Sequence, residues 1–365
     1  MTAIMIDWIT ALVPCFHPEP IAGGRVLKLT PAGEIVWEVN TGLDVVGSYD
    51  ANIRLRTHGI GEHGEGIILE ISGNPTKWLQ GHNLWGGFVA PGPLIEFFML
   101  RLCEVLPGLQ PTDLDLRRWQ EGRFELLRVD LTRMFHLDSR SSVRAWIRAA
   151  DQSAYMKHRG RGTLTKNGTL YFGKHSRRWS MKFYAKGDEL QAGKDHGLSS
   201  DIPEHDKLMA FADRALRNEL VLRSMELKRR GLRWCFHWGN NTGAELLTGI
   251  AKGLNMSDQR SVPNAALEDL PARLRMAYES WLSGLDLREI LPARTFYRYR
   301  KQLLPLGIDL AICQPREKSN VVPLIRVLEA IPVGPPDWAK GTPLLVGLAD
   351  LIEARRRFQE LRRAA

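Results

Sequence analysis

Two tyrosines and a lysine stand in one short tract of this chain, and a lone carboxylate lies on either side of it. Tyr171, Tyr184 and Lys186 belong to GTLYFGKHSRRWSMKFYAKGDE, residues 168–189. Asp130 lies in LRVDL at 127–131, and Glu219 in LRNEL at 216–220. A tyrosine hydroxyl can attack a phosphodiester and hold the cleaved strand as an ester. A phenol titrates at about 10, so near neutral pH it needs help. Nearby lysines favour the phenolate, and a divalent ion on two carboxylates can polarise the phosphate. The constellation suits metal-assisted attack by tyrosine on a DNA phosphate.

These residues need a scaffold that brings them together. Each tract alternates apolar and polar residues, the period of a half-buried strand. Leu170 and Phe172 share one face, and Trp179, Met181 and Phe183 alternate with Lys182, Tyr184 and Lys186. Arg128 shares a face with Asp130, as Arg217 does with Glu219 and Arg223. Strands of one sheet, with their apolar sides on a core, would gather the carboxylates, tyrosines and cations on the other side. The plain alternative is that Arg128 and Arg217 merely pair with the neighbouring carboxylates.

The charge distribution points to nucleic acid. The chain has 50 Lys plus Arg against 41 Asp plus Glu, a net of +9. Residues 152–187 hold nine of the basic residues and no acidic one, interleaved with Tyr171, Phe172, Trp179, Phe183 and Tyr184. A solvated loop rarely carries so many aromatics, whereas cations that neutralise phosphates and rings that stack on bases bind a single strand.

In order and over residues 5–340, the sequence resembles the gene II family of filamentous phages, replication initiators that nick one strand for rolling-circle synthesis. The landmarks are MID at 5–7, KWLQGHN at 77–83, RVD at 128–130, FYAK at 183–186, RTFYRYR at 294–300, NVVPLIR at 320–326 and PDW at 336–338. Tyr171-Phe-Gly, Ser176 and Tyr184-x-Lys186 also look like the active tract of plasmid rolling-circle initiators and relaxases. The resemblance implies a metal-dependent nickase that forms a 5′-phosphotyrosine and later rejoins the strand. Tyr171 and Tyr184 are rival nucleophiles, since some relatives lack a tyrosine at the first position, and Lys186 is the phosphate contact in either case. The implied cofactor is Mg2+ or Mn2+, with Asp130, Glu219, His82 and Glu70 as candidate ligands; the paired-histidine signature of many such nucleases is absent. The expected DNA contacts are Arg128, Lys174, Arg177, Arg178, Lys182 and Arg217 in the first part, and Arg294, Arg298, Arg300 and Lys301 in the second. The partners implied are phage origin DNA, single- and double-stranded, and host helicase and polymerase.

Residues 286–291, a break at Pro292 and residues 294–304 resemble a helix-turn-helix whose second helix reads the major groove. An ordinary helical hairpin with a basic face is the bland alternative. The fold expected is α+β: an antiparallel-sheet, relaxase-like nickase domain (1–255), a mainly helical DNA-binding domain (264–345) and a C-terminal helix or tail (346–365), with 257–263 as linker. Helices are expected at 91–106, 141–150 and 207–215. Cys15, Cys103, Cys235 and Cys313 have neither close pairs nor zinc spacing, which suggests free thiols in a reducing compartment. No apolar run approaches bilayer length, and the apolar start lacks a basic leader, so the expectation is a protein of the host cytoplasm. The resemblance opens at Met5, so Met1 or Met5 can begin the natural product. A non-catalytic origin or single-strand DNA-binding protein is the competing function. A tyrosine recombinase fits less well, because its ordered Arg-His-x-x-Arg pattern is missing.

Overall fold

A computed structural model describes residues 4–193, 197–256, 270–282, 285–306, 308–311, 327–328 and 330–364. The strands in chain order are β1 (Met5–His17), β2 (Gly24–Leu29), β3 (Ile35–Thr41), β4 (Leu43–Val46), β5 (Asn52–Ile60), β6 (Gly66–Gly73) and β7 (Glu125–His136). They continue with β8 (Ala154–Met156), β9 (Gly160–Arg161), β10 (Thr163–Leu164), β11 (Leu170–Phe172), β12 (Trp179–Ala185), β13 (Ala215–Arg223) and β14 (Leu254–Met256). Nine of them make one sheet in the order β10-β11-β12-β13-β7-β1-β6-β5-β4, with every neighbouring pair antiparallel. A long antiparallel sheet with helices on it is the α+β fold expected.

Alternation along the strands decides which side is dry. Ile9, Ala11, Val13 and Cys15 of β1, Val129 and Leu131 of β7, Leu220 and Leu222 of β13, and Met181 and Phe183 of β12 all lie in one apolar core. Helix α2 closes that side. It follows α1 (Pro75–Gln80), spans Pro91–Val105 and buries Leu94, Ile95, Phe97, Phe98, Met99, Leu100 and Leu102. Truncating one such ring, Phe98→Ala, would cost about 3–5 kcal/mol. Next come α3 (Asp113–Gln120) and α4 (Arg140–Ser153), the latter capped by Ser139 and packed on β12. The Trp146 and Phe183 rings meet there, with centroids 5.3 Å apart.

The other side of the sheet is polar and is partly roofed by short elements. Helix α1 is capped by Asn74, whose side chain accepts from Lys77 N at 2.8 Å, and ends at Gly81. Gly81 has φ +83°, and a Cβ there would sit 2.3 Å from the Tyr49 ring, so this turn needs glycine. Beyond β12 the chain does not stay extended as its alternation suggested. Lys186 opens a short helix, α5 (Lys186–Leu190), and α6 (His205–Asp213) follows. Helices α7 (Ser224–Arg229) and α8 (Thr242–Ala251) come after β13.

The helices Ala272–Leu282, Leu287–Ile290 and Ala293–Leu303 surround an apolar cluster of their own, with Leu274, Tyr278, Trp281, Phe296 and Leu303 at its centre. Farther on, Ala339 and Leu344 pack instead with Leu84 and Trp85 beside the sheet. Val333 N donates to Met134 O at 2.8 Å, tying this stretch to β7. The last helix, Leu348–Ala364, docks on α2 through Leu351, Ala354, Phe358 and a two-bond pair from Arg355 to Glu96 at 2.5 and 2.6 Å. NVVPLIR and the expected linker lie outside the described residues, as does Cys313; Cys15, Cys103 and Cys235 are buried free thiols. Among the described residues no helix is long and apolar enough to cross a membrane.

Candidate functional site

The strand register builds the site. Lys182 of β12 stands opposite Tyr171 on one side and Glu219 on the other, and Tyr184 stands opposite Arg217. Glu219 faces Thr132, Val221 faces Asp130, and Arg223 faces Arg128 across β13 and β7. Because side chains alternate with period two, all of these lie on the polar face. Lys182 Nζ is 2.7 Å from Glu219 Oε1, and Tyr184 Oη donates to Glu219 Oε2 at 3.0 Å. Asp130 receives two bonds from Arg128, at 2.8 and 2.6 Å.

A register shift in β1 between Ile6 and Trp8 brings Asp7 into the same group. A bulge of this kind re-aims one side chain. Asp7 Oδ1 accepts from Asn74 Nδ2 at 2.6 Å and Asn83 Nδ2 at 2.8 Å, and lies 2.7 Å from Arg217 Nη2. Arg217 Nη1 also donates to Asn83 O at 2.5 Å. At the start of α5, Lys186 pairs with Glu189. Asp7, Asp130, Glu189 and Glu219 are thereby matched with Arg128, Lys182, Lys186 and Arg217. A buried charge is tolerable only when it is partnered in this way.

Burial and neighbours set the ionisation of this network. Burial pushes the Asp130 carboxyl up; Arg128 opposes it and the nearby Glu219 charge adds to it, leaving Asp130 at about 7. Burial also raises the Tyr184 phenol well above its ordinary value, with Glu219 adding to the effect and Arg217 opposing it. For Lys182, burial disfavours the ammonium, but Glu219 outweighs it, with smaller help from Tyr171 and Asp7.

The family described as the N-terminal part of the phage replication-associated protein of gene II matches residues 5–241, and the family described as its C-terminal part matches residues 264–344. The curated replication-associated protein of Enterobacteria phage I2-2 is 39% identical over 336 residues, covering 91% of this chain and 95% of that one. This chain belongs to the gene II family of phage replication-associated proteins. The solved rolling circle replication initiator protein from Geobacillus stearothermophilus is a distant likeness, 12% identical with a TM-score of 0.29, covering 74% of this chain and 92% of that one.

Within this gene II-family chain the expected residues divide. Tyr171 is half-buried, with Lys174 Nζ 5.6 Å from its ring centre, and Lys174 and Arg177 are exposed beside it. Tyr184, by contrast, is 7% exposed. Lys186 is buried against Glu189, so it does not face a phosphate. Arg217, expected to contact DNA, is fully buried against Asp7. Its sequence neighbour Glu219 takes Lys182 instead. In the C-terminal part Arg294, Arg298 and Lys301 are exposed, whereas Arg300 turns inward to Asp309 at 2.6 and 2.9 Å.

The four expected metal ligands do not assemble as a set. His82 is fully buried: its Nε2 bonds to Leu344 O at 2.9 Å and its Nδ1 accepts from Leu84 N at 3.2 Å. Burial brings its pKa down to about 4 against the raising effect of the Leu344 carbonyl. With both ring nitrogens engaged, this imidazole joins the roof to the sheet and has no lone pair free for an ion. Glu70 stands opposite Leu12 on β1, whereas Asp130 stands opposite Trp8, and Glu70 is held by Arg56 at 2.7 Å. Asp130 and Glu219 do fit a hard cation. They occupy diagonal positions on adjacent strands and repel one another. Mg2+ is commonly held by one or two carboxylates plus substrate phosphates. No group of three or more His, Cys, Asp or Glu among the described residues can hold a metal, so phosphate would have to complete the shell.

Asp7, Asn74, Asn83 and Glu189 were not singled out from sequence. Asp7 and Asn83 stand in the landmarks at 5–7 and 77–83, which was the available signal. Asn74 and Glu189 carried none.

Proposed function

We propose that this chain initiates phage DNA replication by nicking one origin strand through Tyr171 and later rejoining it. The observation that carries this reading is the position of Tyr171. It is the half-buried tyrosine opposite Lys182, on the face that holds Asp130 and Glu219, while Tyr184 is buried and bonded to Glu219.

The scissile phosphate would lie over Lys182, with Tyr171 on one side and the carboxylate pair on the other. The Tyr171 oxygen bonds to phosphorus as the bond to the 3′ oxygen breaks; the phenolic proton departs and the leaving oxygen takes one up. The products are a 3′-hydroxyl, which a host polymerase can extend, and a 5′-phosphotyrosine whose ester energy allows rejoining by the reverse attack. Lys182, kept charged by Glu219, steadies the phosphate. Tyr184 and Arg128 hold Glu219 and Asp130 in place. Asp130 and Glu219 would hold a bound Mg2+ or Mn2+, whose chemistry is to neutralise the phosphate and the leaving oxygen. Phosphate rather than base edges is engaged here, so origin choice belongs elsewhere, with the exposed cations of the Ala293–Leu303 helix as candidates.

The test is incubation with supercoiled circular DNA carrying the cognate phage origin and Mg2+ or Mn2+, read on denaturing gels with peptide mass mapping. A nicked circle attached to the Tyr171 peptide supports the assignment. Attachment at Tyr184 would move the nucleophile. Binding without a nick on a verified origin would leave a DNA-binding protein and no nickase.

A further inference from the structure

At the end of the sheet where β12 begins and β13 finishes, one buried carboxylate organises several arginines that the tyrosine site does not use. Glu226 of α7 is fully buried. Its Oε2 accepts from Arg178 Nε at 2.8 Å, and its Oε1 from Arg229 Nη2 and Arg230 Nε at 2.7 Å each. The side chains of Arg178, Arg229 and Arg230 remain 43%, 54% and 29% exposed, while that of Glu226 is 0% exposed. The negative charge is hidden and the positive charges face outward.

Two more guanidinium groups join them. Arg223 donates from Nη1 to Ser180 Oγ at 3.2 Å, and its backbone N–H bonds to Arg178 O at 2.8 Å. It stands directly opposite Arg128, a like-charge pairing that destabilises a sheet unless an anion compensates it. Arg159 lies over the Trp179 ring with Cζ 4.2 Å from the centre, and its buried Nε has no hydrogen-bond partner. A guanidinium has five donors and a carboxylate roughly four acceptor sites, so Glu226 cannot saturate the three arginines bound to it. Planar forks with free donors, held rigidly, match the oxygens of a phosphodiester. The cluster adjoins Asp130 through Arg128, so it continues the polar face that carries the tyrosines.

We propose that Arg159, Arg178, Arg223, Arg229 and Arg230 form a phosphodiester track for the DNA strand flanking the nick, with Glu226 as the positioning residue that aims them. The inference rests on the reading of DNA as substrate and extends it to a second subsite. Arg178 was an expected contact, but the track adds the carboxylate behind it and four further cations.

The test uses the full chain and a fluorescent single-stranded oligonucleotide, titrated without divalent ions over a series of salt concentrations. R229A/R230A keeps the Arg178–Glu226 contact. Two lost phosphate contacts would flatten the slope of log K against log salt by about 1.4, at roughly 0.7 per contact on a single strand. An unchanged slope overturns the track. Glu226→Gln supplies the discriminating sign. Removing a negative charge beside DNA should tighten binding if Glu226 only contributes its field; if it aims the arginines, binding weakens severalfold. Tighter binding by a variant with wild-type thermal stability overturns the positioning role. Failure of the nickase reading would show separately, as a missing covalent adduct with the salt response intact.

Discussion

The polar face of the sheet and the Ala293–Leu303 helix are both rich in cations, but they hold them in opposite ways. On the sheet, Lys186, Arg217 and Glu219 are almost wholly buried, and each charge has an opposite partner. On the helix, Phe296 and Leu303 face the core while Arg294, Arg298 and Lys301 point to water. Buried matched charges contribute little net stability, because desolvation offsets their attraction, but they fix positions to a fraction of an ångström. Exposed cations fix nothing; they supply affinity that falls with salt. The first arrangement suits reaction at one phosphate, and the second suits holding a long polyanion.

Removing the proposed nucleophile is the severest test of this contrast. Tyr171→Phe should lower origin nicking by on the order of 10⁴-fold or more, the scale seen when a nucleophile is deleted, with origin binding kept. Tyr184→Phe should nick, more slowly, because Glu219 loses one of its two partners. Covalent adduct formation on a labelled origin strand separates the two. Full activity in the first variant and none in the second would reverse the roles.

Next in size is the buried pair. Arg217→Met strands Asp7 without its cation, and breaking a buried pair costs about 3–5 kcal/mol. Urea denaturation should show the loss, whereas Arg298→Ala on the exposed helix should stay within about 0.5 kcal/mol of wild type. Equal effects would show that burial does not distinguish the two regions.

Period-two alternation reveals strands and faces, so the shared side of Arg128, Asp130, Arg217, Glu219, Lys182 and Tyr184 was legible. Pairing across strands was not. Asp130 takes the arginine two residues away, but Glu219 takes Lys182, and Arg217 reaches Asp7, because cross-strand register decides which partner is nearest. Register is a tertiary fact that leaves no mark on one strand's sequence. The Asp7 bulge is hidden for the same reason. His82 resembled a ligand because its landmark gave no sign that Leu344, far along the chain, would occupy its ring. The helix in the C-terminal part was visible from Asp286 and Pro292, yet the inward turn of Arg300 depended on Asp309.

His82 gives a pH prediction. Its folded pKa of about 4 lies below the ordinary 6.5, so the neutral form favours folding. Its contribution is fully present above 6.5 and is lost as pH falls from 6.5 toward 4, about 3 kcal/mol in all. Urea midpoints at pH 7 and pH 4.5 should therefore differ more in wild type than in His82→Gln, the comparison cancelling carboxylates that titrate in both. An identical pH response in the two proteins would mean that His82 is hydrated in solution, and the roof over the sheet would be looser than the Leu344 contact implies.

The smallest effects belong to the exposed helix, and they test whether its cations act on DNA at all. Each of Arg294→Ala, Arg298→Ala and Lys301→Ala should reduce the salt slope of duplex binding by about 1 if the residue touches a phosphate. A contact to a guanine edge would act differently, lowering affinity for the origin by about 1–3 kcal/mol and sparing unrelated duplexes. Arg300→Ala should change neither quantity, because its guanidinium is already committed to Asp309. Titrations on origin and scrambled duplexes at several salt concentrations separate these outcomes. A response at Arg300 equal to that at Arg298 would mean that the helix turns or opens on DNA. No response at the other three would leave a helical hairpin with a basic face, and origin recognition would then have to come from the sheet.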